Sequence, residues 1–284
     1  MNRIVILGST GFLGKKLRIS LDRTNFPVKY MIHNKNKKLK KNEFYGDILD
    51  IKTLSKNLSD GDIVINLVGQ YEKNFLNFFN SNLIGSLNLL EIAKKKKNLK
   101  IIFASSINVY GTNCKNSSKE IDIPKPSTNY GIVKHLTEQL YERFSNLNDL
   151  KIIILRFSNL YGPNKKSGLI FNLINSKKQA PIIIDNNGLQ TRDFLFVDDA
   201  VSAIISSIYF KQNNFEIFNI SSGKKLSPKN LIQFIEKNSE KKIFYKFLKE
   251  NTSEMCNWAN NNKAKKLLNF KPKFELNSEL LKIL

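Results

Sequence analysis

The sequence predicts an α/β fold: a doubly wound parallel sheet followed by a smaller C-terminal region. Three observations predict it. Short apolar runs alternate with amphipathic stretches through the first 156 residues, a glycine-rich turn follows the first run directly, and the rhythm loosens beyond Arg156. Strands buried on both faces of a parallel sheet read as continuous apolar runs, and the helices that cover them repeat their apolar residues every three to four positions.

The apolar runs at 3–7, 28–32, 63–67, 100–105 and 152–156 have the length of strands. A third strand is expected just before Gly46. Helical spacing covers 11–21, 75–94 and 127–144, so strand and helix alternate as doubly wound sheets require. Past Arg156, turn signals at Gly162-Pro163, Asn186-Asn187-Gly188 and Ser221-Ser222-Gly223 break the pattern, and further helices are expected over 197–209 and 228–237. This divides the chain into a dinucleotide-binding domain over 1–156 and a mainly substrate-binding region over 157–284, some segments of which return to the first domain.

A chain of 284 residues buries a sizeable core without staples. Cys114 and Cys256 lie far apart, with no ligand spacing around them, so neither a disulfide framework nor a metal site is expected. No secretory segment or membrane span is read, which makes a reducing cytoplasm the expected compartment. The formal charge of +22 raises nucleic acid as a partner. Its basic residues are overwhelmingly lysine, however, with arginine only at 3, 18, 23, 143, 156 and 192. A solvated lysine surface is therefore expected, because readers of nucleic acid lean on forked guanidinium groups.

Gly8-Ser9-Thr10-Gly11-Phe12-Leu13-Gly14 stands where a strand turns into a helix. Glycine there permits unusual dihedrals and lets a pyrophosphate approach the backbone at a helix N-terminus, the arrangement of a Rossmann-type dinucleotide site. A merely tight turn is the alternative. About 20 residues on, where such folds commonly place a carboxylate for the ribose of NAD, the chain reads His33-Asn34-Lys35, with Lys37 close behind. These side chains suit the 2′-phosphate of NADP, with NAD as the alternative. Asp47 and Ile48, and Leu67, Val68 and Gly69, fall at the carboxyl ends of the third and fourth strands, where open sheets bind ligands.

Tyr130 and Lys134 stand four apart in the helix after the fifth strand, one turn apart on one face. A phenol titrates near 10, and a neighbouring ammonium favours the phenolate, so Tyr130 can exchange a proton with a sugar hydroxyl while Lys134 holds the nicotinamide ribose. The pair is equally compatible with an ordinary surface contact.

Five motifs, taken in order, decide between these readings: Gly8 to Gly14, Ser105-Ser106-Ile107-Asn108-Val109-Tyr110-Gly111, Tyr130 to Lys134, Arg156 to Pro163, and Arg192 to Asp199. Together they resemble the extended short-chain dehydrogenases/reductases, in particular the NAD-dependent epimerase/dehydratase family, over nearly the whole chain. The resemblance implies that Ser106 hydrogen-bonds the reacting oxygen and completes a triad with Tyr130 and Lys134, with Ser105 its structural neighbour. It implies that Asn159 contacts substrate and Arg192 meets a nucleotide diphosphate, although Asn159 could close a turn and Arg192 could pair with Asp193 or Asp198. It also implies that Asp47 and Ile48 flank the adenine, that Phe157 packs near the nicotinamide, and that Asn82 is architectural.

Dehydratases of this kind carry Asp and Glu after the triad hydroxyl, where this chain has Ile107 and Asn108. Elimination is thereby disfavoured. The expectation is a cytoplasmic NAD(P)-dependent enzyme of nucleotide-sugar metabolism, as in polysaccharide biosynthesis. It favours a 4-ketoreductase using NADPH, then a 4-epimerase with bound NAD, and least a non-catalytic redox-sensing or RNA-binding relative. A homodimer through the helices over 75–94 and 127–144 is the expected assembly.

Overall fold

A computed structural model describes the chain except residues 1, 37, 70–73, 113–114, 212 and 249–255. Its strands are β1 (Ile4–Leu7), β2 (Val28–Ile32), β3 (Glu43–Tyr45), β4 (Ile63–Asn66), β5 (Lys100–Ser106), β6 (Lys151–Phe157), β7 (Asn159–Tyr161), β8 (Ile182–Ile184), β9 (Phe194–Phe196), β10 (Phe215–Ile220) and β11 (Tyr245–Phe247). Seven of them form one parallel sheet in the order β10-β6-β5-β4-β1-β2-β3. The pairs β7–β9 and β8–β11 form two small parallel sheets outside it.

Alternation along β1 explains the layers. Ile4 and Ile6 face a core with Leu17 and Leu21 of the first helix and Ala200 and Ile204 of helix Val197–Tyr209. Val5 and Leu7 face the opposite core, with Leu54, Leu89, Leu90 and Tyr141. A third cluster, including Phe194, Phe196, Leu231 and Ile235, lies in the C-terminal half. Lys100 stitches the sheet to helix Val197–Tyr209: its Nζ donates to the carbonyls of Ser207, Ile208 and Phe210 at 2.7, 3.1 and 2.7 Å, satisfying groups that a helix end leaves open.

Two elements depart from the sequence reading. Phe215–Ile220, read as part of the loose second half, joins the main sheet beside β6. The single helix expected over 75–94 is interrupted: an α-helical turn at Phe75–Phe79 leads into a π-helical stretch, Asn80–Ile84, before α-helix resumes at Gly85–Ala93. Cys256 is disulfide-bonded, which the wide spacing of the two cysteines does not announce; the chain's other cysteine, Cys114, lies outside the described residues. Among the described residues no helix is long and apolar enough to cross a membrane.

Candidate active site

β1 and β4 lie side by side, with Leu7 opposite Asn66, and the connections leave them for opposite halves of the sheet. A crevice at such a switch point is where open α/β sheets bind ligands. Here it deepens into a cleft of about 1620 Å³ that reaches from Met31 and His33 at one end to Arg192 and Ile283 at the other.

The glycine-rich turn forms its floor. Gly8 has φ +81°, and a Cβ on Gly14 would come within 2.2 Å of the Gly8 carbonyl, so the turn closes only without side chains there. A Cβ on Gly11 would meet only that carbonyl, at 3.4 Å, with open cleft beyond. Helix Phe12–Leu21 then starts with neither a capping side chain nor an acidic residue in its first turn. Its first amides and the positive end of its dipole are left to a ligand, so the cradle, lined by Thr10, Phe12 and Leu13 as well as the glycines, fits a dinucleotide pyrophosphate.

At the Met31 end, His33 and Asp47 face each other with Nδ1 and Oδ2 3.5 Å apart, and both line the cleft with Ile48. Asn34 and Lys35 do not line it. The Asn34 side chain accepts from the Asn36 amide in a turn that carries both residues into solvent, and Lys37 lies outside the described residues. On the β4 side Leu67, Val68 and Gly69 line the cleft. Gly69, at φ +110°, leaves room for Asn82, whose Oδ1 would be 2.0 Å from a Cβ there. Asn82 is buried in the π-helical stretch and its Nδ2 donates to the Phe78 carbonyl at 2.7 Å, an architectural contact.

The three triad residues converge. Ser106 ends β5, and its Oγ accepts from the Asn108 amide at 3.2 Å. Tyr130 lies in the first turn of helix Asn129–Asn148, which Thr128 caps. Gly131 allows the approach: a Cβ there would sit 2.4 Å from the Asn108 carbonyl, so any side chain would push the helix off the Ser106 turn. Tyr130 and Ser106 line the cleft together, and the Tyr130 ring stacks on Phe78 at 5.6 Å. Burial pushes the phenol up to about 12 against the pull of the Ser106 hydroxyl. Lys134 is buried, with Nζ donating to the Ala104 carbonyl at 3.0 Å and lying 4.7 Å from the Phe103 ring centre. Burial brings its ammonium down to about 7, opposed by the charge of Glu138. Phe157 pairs with Ser106 across β5 and β6 and lines the cleft beside it.

Behind the triad stands a buried network that the sequence reading did not include. Glu138, one turn beyond Lys134, accepts from Arg156 at 2.7 to 3.2 Å and from the Ser105 hydroxyl. Arg156 also donates to the Tyr110 hydroxyl at 2.7 Å, which in turn donates to Asn219 Oδ1 at 2.8 Å. The helix carrying Tyr130 is thereby tied to the ends of β5, β6 and β10. Spacing from Lys134 marks Glu138 in the sequence, but its partner 18 residues on has no local signature. Ile107 is fully buried, and the Asn108 side chain accepts from Asn257 Nδ2 at 2.6 Å. Neither presents a titratable group to the cleft.

At the far end, Asn159 lines the cleft while its Nδ2 donates to the Asp193 carbonyl at 3.0 Å, so the side chain also closes the β7–β9 junction. Arg192 does not pair with either nearby aspartate. Asp193 is taken by the Ser222 hydroxyl and the amides of Ser222 and Gly223, and Asp198 pairs with Lys16 at 3.0 Å. Among the described residues the guanidinium donates to Gln190 Oε1, at 3.3 Å, and burial lowers it against the opposing charge of Asp185. A cleft-lining, partly desolvated guanidinium of this kind suits a diphosphate.

Residues 4–221 match the model of the NAD dependent epimerase/dehydratase family. The UDP-glucuronate 4-epimerase of Thermodesulfobacterium geofontis is 30% identical over 72% of this chain and 64% of its own length. The UDP-N-acetyl-alpha-D-glucosaminuronate decarboxylase of Bacillus cytotoxicus is 32% identical over 86% of this chain and 83% of its own. The crystal structure of UDP-glucuronic acid 4-epimerase from Bacillus cereus in complex with UDP-glucuronic acid and NAD superposes with a TM-score of 0.85 at 27% identity, covering 99% of this chain and 97% of that one.

Proposed function

The chain belongs to the NAD-dependent epimerase/dehydratase family, and from that premise we propose that it is an NAD⁺-dependent 4-epimerase of a UDP-sugar. The observation that carries this reading is Ser106, Tyr130 and Lys134 lining one cleft with the glycine-rich turn, with no second acid/base pair beside them among the described residues. Epimerisation needs one proton removed from the 4-hydroxyl and one returned to the same oxygen, and a single phenol serves both. Elimination of water needs more titratable groups than Ile107 and Asn108 supply.

Tyr130, as the phenolate, takes the hydroxyl proton, while Ser106 hydrogen-bonds the same sugar oxygen and orients it. The Lys134 ammonium favours the phenolate by its charge. NAD⁺ held in this cleft would supply the hydride acceptor and donor, and inversion requires the keto sugar to turn its opposite face before the return. Tyr130 then returns the proton to the oxygen of the 4-epimer. Arg192 and Asn159 hold the nucleotide sugar, within a substrate-binding region made mainly from residues 157–284. The exposed apolar side chains Phe75, Leu76, Ile84, Ile132 and Leu136 on the two adjoining helices mark the face on which a second copy docks as a homodimer.

Reduction of a 4-keto sugar with NADPH is the second reading, favoured by the exposed His33 at the adenine end of the cleft. Two placements favour NAD⁺ instead: Asn34 and Lys35 stand outside the cleft lining, and the carboxylate of Asp47 faces His33. One experiment separates them. The purified enzyme should release NAD⁺ on denaturation and interconvert UDP-glucuronate or UDP-glucose with its 4-epimer, followed by proton NMR, without consuming added NADPH. Tyr130→Phe should lower turnover by roughly 10²–10⁴, the usual contribution of a positioned proton-transfer group. Protein that carries no cofactor and oxidises NADPH one-for-one with a 4-keto nucleotide sugar would establish the reductase.

A further inference from the structure

We propose that Lys165 is an anchor for a nucleoside diphosphate linkage in the cleft, placed over the glycine-rich turn by the chain segment that follows β7. The assignment rests on the reading of the cleft as a site for NAD⁺ and a nucleotide sugar, and adds to it a cation that none of the sequence motifs marks.

The placement is built, not incidental. Gly162 has φ +150°, and a Cβ there would lie 2.8 Å from Val197 Cγ1 and 3.5 Å from Phe12 Cζ, so Phe12 packs directly against the Gly162 backbone. The chain then turns sharply: Asn164 is left-handed, at φ 65°, and the Lys165 amide donates back to the Gly162 carbonyl at 3.3 Å. The turn brings the Lys165 ammonium to 4.7 Å from the centre of the Phe12 ring. Phe12 is the first residue of the helix whose open amides face the cleft. Lys165 thus lies within a side chain's reach of the point where the pyrophosphate cradle is formed.

Its surroundings differ from those of the lysines on the surface. Lys165 lines the cleft and is half-buried, and among the described residues no carboxylate lies within ion-pair distance of it. Burial alone lowers its affinity for a proton. A cation that has lost part of its water without a counter-charge is unfavourable as it stands, and an anion entering the cleft relieves that cost. A diphosphate diester, with two negative charges between two nucleosides or between a nucleoside and a sugar, is the anion this cleft takes. The neighbour Lys166 is exposed and outside the lining, so it provides an internal control with the same charge.

The test compares Lys165→Met, which keeps most of the aliphatic stem, with Lys166→Met. Calorimetry on cofactor-stripped enzyme measures NAD⁺ and adenosine; calorimetry on the NAD⁺-loaded enzyme measures UDP. Lys165→Met should weaken NAD⁺ roughly tenfold or more, the scale of a charged hydrogen bond, with adenosine and the thermal midpoint unchanged. Lys166→Met should change none of these. A loss confined to UDP would support the anchor and assign it to the diphosphate of the substrate. Unchanged NAD⁺ and UDP affinities, or an equal loss for adenosine, would overturn it. Wild-type protein that bound neither NAD⁺ nor UDP would instead overturn the functional reading, and this assignment with it.

Discussion

Replacing Glu138 with glutamine tests whether the network behind the triad holds the site together. Glu138 and Arg156 are each 3% exposed, and the carboxylate accepts three N–H contacts from the guanidinium besides the Ser105 hydroxyl. Glutamine keeps the shape but offers a single acceptor oxygen and turns an amide group towards donors. Arg156 would keep the Tyr110 hydroxyl as its remaining acceptor, leaving a buried cation without its hydrogen-bonded counter-charge. Breaking one side of a buried pair costs about 3–5 kcal/mol, and at about 2–4 °C per kcal/mol for a large domain the thermal midpoint should fall by roughly 6–20 °C. Urea unfolding followed by circular dichroism measures the loss. The double variant Glu138→Leu/Arg156→Met removes both charges and should be more stable than Glu138→Gln alone, because it strands no charge and leaves only the neutral Ser105 hydroxyl without its acceptor. A loss below about 1 kcal/mol, the range of exposed pairs, would refute the reasoning, since the network would then contribute no more than a surface contact.

Two further outcomes follow from the same geometry. Gly14→Ala puts a Cβ 2.2 Å from the Gly8 carbonyl, where ordinary contact begins at 3.4 Å, so the turn must open by more than an ångström; NAD⁺ affinity should fall at least roughly tenfold, about 1.4 kcal/mol, and unchanged calorimetric binding would show that the cradle lies elsewhere. Lys134 is brought from 10.5 down to about 7 by burial, so between those values the folded protein binds fewer protons than the unfolded chain, and this group's effect on stability becomes more favourable as pH rises across that window and is flat below it, where both states are protonated. The wild type should therefore gain stability relative to Lys134→Met between about pH 7 and pH 9 in urea titrations, and parallel curves would show that Lys134 is not desolvated.

Much of the site is legible because its signals are local. Gly8 and Gly14 mark a turn that side chains would block, and Tyr130 and Lys134 share a helix face through their spacing alone. Other parts depend on contacts that spacing does not encode. His33, Asn34 and Lys35 read as one basic group, yet the turn at Asn34 sends two of them into solvent and leaves His33 opposite Asp47, a carboxylate contributed by the next strand. The helix expected over 75–94 contains a π-helical stretch that carries buried Asn82 beside Gly69, and a local change of helical winding barely alters an apolar repeat.

The sequence by itself determined the parallel sheet, the glycine turn at its centre and the helix face that Tyr130 shares with Lys134, because strand runs, helical periods and glycine turns are written over a few consecutive positions. The tertiary structure decided the rest: that Phe215–Ile220 extends the sheet beside β6, that Glu138 meets Arg156 and Ser105 behind the proton-transfer pair, and that Arg192 and Lys165 face the cleft without carboxylate partners among the described residues. These pairings join segments far apart in the chain. They exist only once both faces of the sheet are covered and burial has removed the water that would otherwise compete for each charge.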